Sequence, residues 1–220
     1  MKAETRIKTG ADIAMTVLIL LLMAVQVTGD LLHEWIGIGE TVLVIVHQIL
    51  NRRWYGALFK GKYKAYRIIS TAVAVLLLVA FLLAAFSGMS MSAYAVPFLY
   101  GMAPVMLMMK MHLSASNWAF LLTGIHLGLH LPSIVGRLKM SARTKKVAAG
   151  ILTAIGLCGL FLYVKNGMAR YLLFREHFAA LDSEKHWAIV LLENIAMLGF
   201  FVSVGMYAAI TSRKKNEQMF

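Results

Sequence analysis

The chain has 220 residues, of which 60% are hydrophobic, 15% are charged and only three are proline. This composition excludes an ordinary soluble globular domain and indicates an integral membrane protein. The net charge of +12 would fit a nucleic-acid binder, but the basic residues lie between apolar runs and form no basic domain, so no nucleic-acid partner is expected.

Six apolar runs follow one another along the chain, each about long enough to cross the roughly 30 Å hydrocarbon core of a bilayer as a helix. They cover residues 12–29, 31–50, 67–88, 111–131, 145–164 and 187–210. None has the period-two alternation of a strand, and open sheet edges are not tolerated in lipid. The sequence therefore predicts an all-α integral membrane bundle of about six transmembrane helices. The first run is interpreted as a retained helix, because no small-residue cleavage site precedes Asp30.

Lysine and arginine are distributed unequally over the connections between these runs. Most lie at the termini and in the connections before the third and fifth runs, whereas the three remaining connections together hold only Lys110, Lys165, Arg170, Arg175 and Lys185. Because basic connections stay on the cytoplasmic side, both termini are predicted to be cytoplasmic in a multi-pass protein of the inner cell membrane. Segments 89–110 and 165–186 then lie outside, and the stretch from Met89 to Met109 is expected to follow the outer interface.

Histidines recur with the same spacing on the second and fourth predicted helices. His33 and His47 are fourteen residues apart, and so are His112 and His126. Fourteen residues are nearly four helical turns, so each pair shares one helix face, about 21 Å apart along the axis. Both helices run from outside to inside, which brings His33 level with His112 and His47 level with His126. Since two imidazoles facing each other across a bundle can ligate haem iron from both sides, we predict an outer and an inner haem b, or one haem if either pair fails to meet.

The remaining histidines are less clearly assigned. His130 follows His126 by one turn and is an alternative inner ligand or a contact to a haem propionate or a quinone head group. His177 and His186 lie among charged residues and are expected to be solvated. A single membrane histidine is more often a hydrogen-bonded packing residue, but intramembrane ionisable groups are costly, and the repeated separation favours ligation.

Small and acidic residues near the histidines have two interpretations each. Gly37 and Gly124 are predicted to give a porphyrin clearance, with ordinary close helix packing as the alternative. Glu40 and Glu193 are the acids of interest within the apolar runs. They could deliver protons to a quinone, although hydrogen bonding to a neighbouring helix is slightly favoured for both.

Several segments resemble a known family. They are Thr28-Gly-Asp-Leu-Leu-His33-Glu-Trp-Ile-Gly37, His47-Gln-Ile-Leu-Asn-Arg-Arg-Trp54, Gly61-Lys-Tyr63, Ser87-Gly-Met-Ser-Met91 and the stretch from His112 to His130. Together they are similar to the flavinylation-associated cytochrome family, long described as a domain of unknown function, over roughly residues 10 to 135. The resemblance implies a cytochrome-b-like four-helix core over 10–140. It also implies electron transfer between the membrane pool and extracytosolic redox partners, often flavoproteins with covalently attached flavin. The five membrane histidines fall on the family's motif histidines.

The sequence thus predicts a membrane-embedded dihaem b-type cytochrome that acts as an electron-transfer subunit, alone, as a homo-oligomer or in a larger complex. No nicotinamide or flavin domain is recognised, so a quinol or quinone and an extracytosolic flavoprotein are the expected partners. A quinol-oxidising or quinone-reducing site near one haem is the enzymatic variant. Residues 141–215 are predicted to add a transmembrane hairpin that docks a partner or second subunit. The rival hypotheses are a transporter or channel for a transition metal or protons, and an accessory protein whose histidines only pack.

Overall fold

The computed structural model describes residues 3–137, 140–182 and 184–217, and these ranges contain helices and no strand. The all-α prediction is therefore confirmed. The helices, in chain order, are α1 Ala3–Leu22, α2 Val25–Leu50, α3 Arg53–Ala57, α4 Ala65–Met89, α5 Val105–Arg137, α6 Ala142–Lys165, α7 Ala169–Leu172 and α8 Trp187–Glu217, with a short 3-10 turn at Pro97–Leu99.

Four helices, α4, α5, α6 and α8, are long and apolar enough to cross a membrane, which indicates a membrane protein. They correspond to the last four predicted runs, although α5 is longer than predicted at both ends. The first two predicted runs correspond to α1 and α2, which are less uniformly apolar. The first turns of α1 carry charged residues, and α2 contains Asp30, Glu34 and Glu40.

Helix α1 and the part of α2 that follows Gly29 form an antiparallel hairpin, and its reversal lies near Gly29, where the sequence placed the boundary. Asp12 contacts His47, Leu18 lies against Gly39 and Leu22 lies against Gly37, so the midpoint of each pair falls at Gly29 or next to it. Gly29, within the assigned range of α2, has φ of 68° and ψ of 167°, a non-helical conformation that glycine adopts without steric cost, and the chain reverses there. Regular helix is also interrupted at Met23 and Ala24, and Ala24 is completely buried.

Helices α4, α5, α6 and α8 form a four-helix block in which glycines bring backbones together. A Cβ atom added at Gly128 of α5 would meet the carbonyl oxygen of Val202 on α8, and one added at Gly159 of α6 would meet that of Ala196. Small residues at such crossings are typical of membrane helix packing. Helix α8, which the sequence assigned to an additional hairpin, thus packs directly on α5.

An aromatic cluster fills the centre of this block. The ring of Phe201 on α8 meets Phe120 of α5 edge-on, with ring centres 6.4 Å apart, and meets Tyr163 of α6 at 5.3 Å. Ile19 of α1 is buried against the same cluster. Apolar side chains of α1 thus supply part of the contact between the hairpin and the block.

The connection between α4 and α5 is an irregular loop, and it is called the outer loop below because the sequence predicts that it lies outside. It covers the first part of the stretch that the sequence placed along the outer interface, but α5 already begins at Val105, so the last residues of that stretch are helical. The tip of the loop exposes large apolar side chains, among them Phe98 and Met102.

Glu34 of α2 fixes this outer loop. Its carboxylate accepts hydrogen bonds from the hydroxyl of Ser92 at 2.7 Å and from the consecutive backbone N–H groups of Ala93, Tyr94 and Ala95 at 2.8–2.9 Å. Hydrogen bonds to a charged acceptor are stronger than neutral ones. Glu34 therefore ties the loop to the helix turn that carries His33.

Candidate functional site

The outer histidines meet across the seam between the hairpin and the block. The ring of His33 on α2 lies 6.0 Å from the ring of His112 on α5, centre to centre, at an interplanar angle of 78°. Metal–imidazole nitrogen bonds are about 2.0–2.1 Å long, so this separation suits one metal ion between the two rings. The sequence predicted this pairing from the level of the two residues.

Hydrogen bonding assigns different roles to the nitrogens of the outer pair. Nδ1 of His112 lies 2.9 Å from the backbone carbonyl of Ala84 on α4. Since a carbonyl only accepts, Nδ1 carries the proton and Nε2 keeps a free lone pair, the tautomer that a metal ligand requires. Nδ1 of His33 is buried without a hydrogen-bond partner, which leaves it available to a ligand.

Helix α4 leaves room for His112 at a glycine. A Cβ atom added at Gly88 would lie 3.0 Å from Cε1 and 3.1 Å from Nδ1 of His112, closer than side chains normally pack. Sequence reasoning assigned no functional part to Gly88 or to the Ala84 carbonyl. Ala84 and Gly88 lie one helix turn apart on α4, and both contact His112. The sequence does not show that this face of α4 lies against His112.

The inner histidines are arranged differently. Nδ1 of His47 on α2 lies 2.9 Å from Oδ1 of Asp12 on α1, while the ring of His126 lies 4.7 Å from that of His130. His126 is near enough to His47 and Asp12 to interact with them electrostatically. These four side chains form the inner cluster. The direct ring contact of His126 is thus with His130 on its own helix, not with His47.

The inner and outer levels nevertheless share one feature. Each combines an imidazole whose Nδ1 is held by an acceptor, His112 or His47, with an imidazole whose buried Nδ1 has no partner, His33 or His126. A buried polar atom without a partner is costly. Both unpartnered nitrogens are therefore candidates for binding a group that the protein chain does not supply.

His130 lies at the inner end of α5 with its side chain exposed. It interacts electrostatically with His47 and with Arg213 of α8. The guanidinium of Arg213 donates to Ser133 Oγ at 2.8 Å and lies 4.3 Å over the ring of Tyr66. A basic group thus stands beside His130, a setting suited to an anionic contact such as a propionate.

The two acids singled out in the sequence have different surroundings. Glu193 of α8 accepts hydrogen bonds from Lys185 at 2.7 Å and from Asn166, the residue that caps the C-terminus of α6, at 3.3 Å, so it bonds to the end of a neighbouring helix, the alternative that the sequence analysis favoured. Glu40 is buried on α2, and its Oε2 has no partner.

The two glycines predicted to clear a porphyrin lie against other helices. A Cβ atom at Gly124 would be 2.5 Å from Cβ of Phe201, and one at Gly37 would be 3.9 Å from a methyl group of Leu22 on α1. Close helix packing, the alternative given above, accounts for Gly124 in this structure, because α8 fills the space beside it.

The remaining histidines, His177 and His186, are exposed in the outer segment between α7 and α8. Among the residues that the structure describes, no three His, Cys, Asp or Glu side chains converge to form a metal site. A porphyrin supplies four of the six ligands of its iron itself, so a haem needs only a pair of imidazoles, and His33 and His112 form such a pair across two helices.

The chain matches no family model, no curated protein and no solved structure. The resemblance described above therefore depends on the quoted motifs alone.

Proposed function

We propose that the chain is a membrane-embedded b-type cytochrome that holds two haems, with His33 and His112 as ligands of the outer haem and His47 and His126 as ligands of the inner one. The observation that carries the proposal is the outer pair. Two histidines from different helices lie 6.0 Å apart, one fixed through Nδ1 by a backbone carbonyl and the other with an unpartnered buried nitrogen.

The inner level supports the same proposal less directly. His47 is fixed through Nδ1 by Asp12, and Nδ1 of His126 is buried without a partner. Both histidines are fourteen residues from their outer counterparts, so the levels are about 21 Å apart along the helices. His130, with Arg213 nearby, is assigned to a haem propionate or a quinone head group, and it is the alternative inner ligand.

Bound haem supplies one-electron chemistry, with a potential set by its axial ligands and their hydrogen bonds. The protein's own residues fix the ligand tautomers, and the apolar helices exclude water. Two sites at different depths suit electron transfer across the membrane, between the quinone pool and an extracytosolic partner such as a flavoprotein. This is the activity that the resemblance to the flavinylation-associated cytochromes implies, and we propose membership of that family on the same basis.

The proposal includes a six-span topology. The hairpin of α1 and α2 would cross the membrane beside the block of α4, α5, α6 and α8, with its polar residues turned towards the two haems and not towards lipid. Basic residues then place both termini in the cytoplasm. The outer loop held by Glu34 would lie on the extracytosolic side, next to the outer haem.

A second candidate function is supported by Glu40. A buried carboxylate with an unpartnered oxygen inside an apolar bundle is typical of proton or cation pathways. A transporter of protons or a transition metal could use Glu40 together with the histidines. This candidate predicts flux and no haem.

The test is a dithionite-reduced minus oxidised visible spectrum of the purified protein, with extracted haem quantified per polypeptide. Two pairs of ligands require about two low-spin b-type haems per chain. His112→Ala and His33→Ala should each remove one haem, because each deletes an axial ligand. His177→Ala is the matched control, since it deletes an exposed loop histidine, and it should retain both haems.

A colourless protein, purified after expression with an adequate haem supply, would overturn the proposal. Proteoliposomes would then be assayed for uptake of protons and of divalent metals. Uptake that depends on Glu40 would favour the transporter.

A further inference from the structure

We infer that Asp12 is a positioning residue of the inner haem. Its carboxylate holds His47 in the ligating tautomer, and its charge makes the inner haem harder to reduce than the outer haem. This inference rests on the proposed function, and it adds an asymmetry between two sites that otherwise use the same kind of ligand.

The contact that carries the inference lies within the hairpin. Antiparallel packing brings Asp12 on α1 level with His47 on α2, and Oδ1 lies 2.9 Å from Nδ1. The side chains are 48% and 26% exposed, so the bond is partly shielded from water. A carboxylate only accepts, so Nδ1 of His47 donates and Nε2 is left free to ligate.

The outer level provides an internal comparison. His112 donates through Nδ1 to the Ala84 carbonyl, also at 2.9 Å. The two bonds have the same length but differ in charge, because one acceptor is a neutral amide and the other an acid. A carboxylate partner raises the basicity of a ligating histidine, and a more basic ligand stabilises the oxidised iron over the reduced iron.

A positive group also lies at the inner level and acts in the opposite direction. Arg213 interacts electrostatically with His130, but its guanidinium donates to Ser133 and stacks on Tyr66. Its charge is thus directed to other partners, whereas Asp12 bonds the ligand itself. Arg213 is present both in the unaltered chain and in Asp12→Asn, so its effect on the midpoint of the inner haem cancels when the two proteins are compared.

The experiment is a potentiometric titration of the haem-loaded protein, unaltered and as Asp12→Asn. Asparagine keeps the shape but removes the charge. The lower midpoint should rise, with about a tenfold shift of the oxidised-to-reduced ratio, which is 59 mV for one electron, and the higher midpoint should stay in place. Asp30→Asn, an exposed acid at the other end of the hairpin, is the control and should leave the lower midpoint unchanged.

A second variant identifies the haem that responds. His47→Ala should abolish the same midpoint that Asp12→Asn moves. If Asp12→Asn shifts the midpoint that survives in His47→Ala, or shifts neither midpoint while both haems are bound, the inference is overturned and the proposed function stands. A protein without haem would instead overturn the proposed function.

The asparagine variant could also lose one haem. Asp12→Glu then decides, because it restores the charge with a longer side chain. If Asp12→Glu binds the second haem again and that haem has the low midpoint, the positioning role of Asp12 is supported. If the second haem is not recovered, or is recovered without the low midpoint, the positioning role is overturned.

Discussion

The four-helix block and the α1–α2 hairpin are held together by different means. In the block, glycines such as Gly128 and Gly159 let helix backbones touch, and an aromatic cluster around Phe201 fills the centre. In the hairpin, few residues are buried, and the contacts that α2 makes with the rest of the protein are largely polar. Glu34 bonds the outer loop, and His33 faces His112.

The candidate ligands are divided equally between the two regions. His112 and His126 lie on the closely packed α5, and His33 and His47 lie on the hairpin. A prosthetic group bound by both pairs would join a rigid region to a more loosely attached one. We therefore expect substitutions in the block to alter folding and substitutions in the hairpin to alter occupancy of the site.

The largest expected effect comes from breaking the block. Gly128→Ala should destabilise the fold by more than the roughly 1–3 kcal/mol usual for overpacking, because the new methyl group meets the Val202 carbonyl and the backbone of Gly205. The unfolding midpoint of the detergent-solubilised protein measures this. Gly150→Ala in α6 is the control. A Cβ atom there meets nothing within 4 Å, so alanine should stabilise the helix by about 0.5–1 kcal/mol. Equal midpoints for the two variants would contradict the close packing of α5 on α8.

The second largest effect is the loss of haem expected on substitution of His126, the inner histidine of α5. His126→Ala should reduce the haem content to about half, since its buried, unpartnered Nδ1 is the better candidate ligand. His130→Ala should keep both haems, because the His130 side chain is exposed. Haem extraction and the reduced spectrum measure both variants. Loss of a haem from His130→Ala alone would transfer the ligand role to His130 and indicate a rotated inner end of α5.

The sequence was sufficient for the features that depend on helix periodicity and hydropathy. The four apolar helices follow from the lengths of the apolar runs. The prediction that His33 and His112 lie at the same level of the bundle follows from the repeated spacing of fourteen residues. These features survive small errors at helix ends, because a helix keeps its register wherever it begins.

The features that the sequence did not indicate depend on packing between segments distant in the chain. The interruption of regular helix at Met23 and Ala24 involves no glycine or proline, so nothing local predicts it. The acceptors for His112 and His47, the Ala84 carbonyl and Asp12, belong to neighbouring helices. Gly124 lies beside a histidine in sequence but faces Phe201 in space, which spacing along one helix cannot reveal.

A smaller effect is expected where the hairpin holds the outer loop. Glu34→Gln removes the negative charge that accepts bonds from Ser92 and three consecutive amides. A loss of about 1.5 kcal/mol, the lower end of the range for hydrogen bonds to charged groups, corresponds to roughly tenfold faster amide exchange at residues 93–95. Hydrogen exchange followed by mass spectrometry measures this. Glu184→Gln, at an exposed loop position, should leave exchange at residues 93–95 unaltered, and unchanged protection in Glu34→Gln would show that the loop is held by other contacts.

The smallest expected effect tests whether glycine on the hairpin serves a haem or only a neighbouring helix. In Gly37→Ala the new Cβ atom would lie 3.9 Å from a methyl group of Leu22, an ordinary contact, so both haems should be retained and stability should rise by at most about 1 kcal/mol. Haem content and the unfolding midpoint are measured together. Gly39→Ala, whose Cβ atom would lie 3.9 Å from a methyl group of Leu18, is the matched control. If Gly37→Ala loses haem while Gly39→Ala keeps it, the porphyrin passes beside Gly37, as the sequence predicted, and the hairpin must move relative to the block when haem binds.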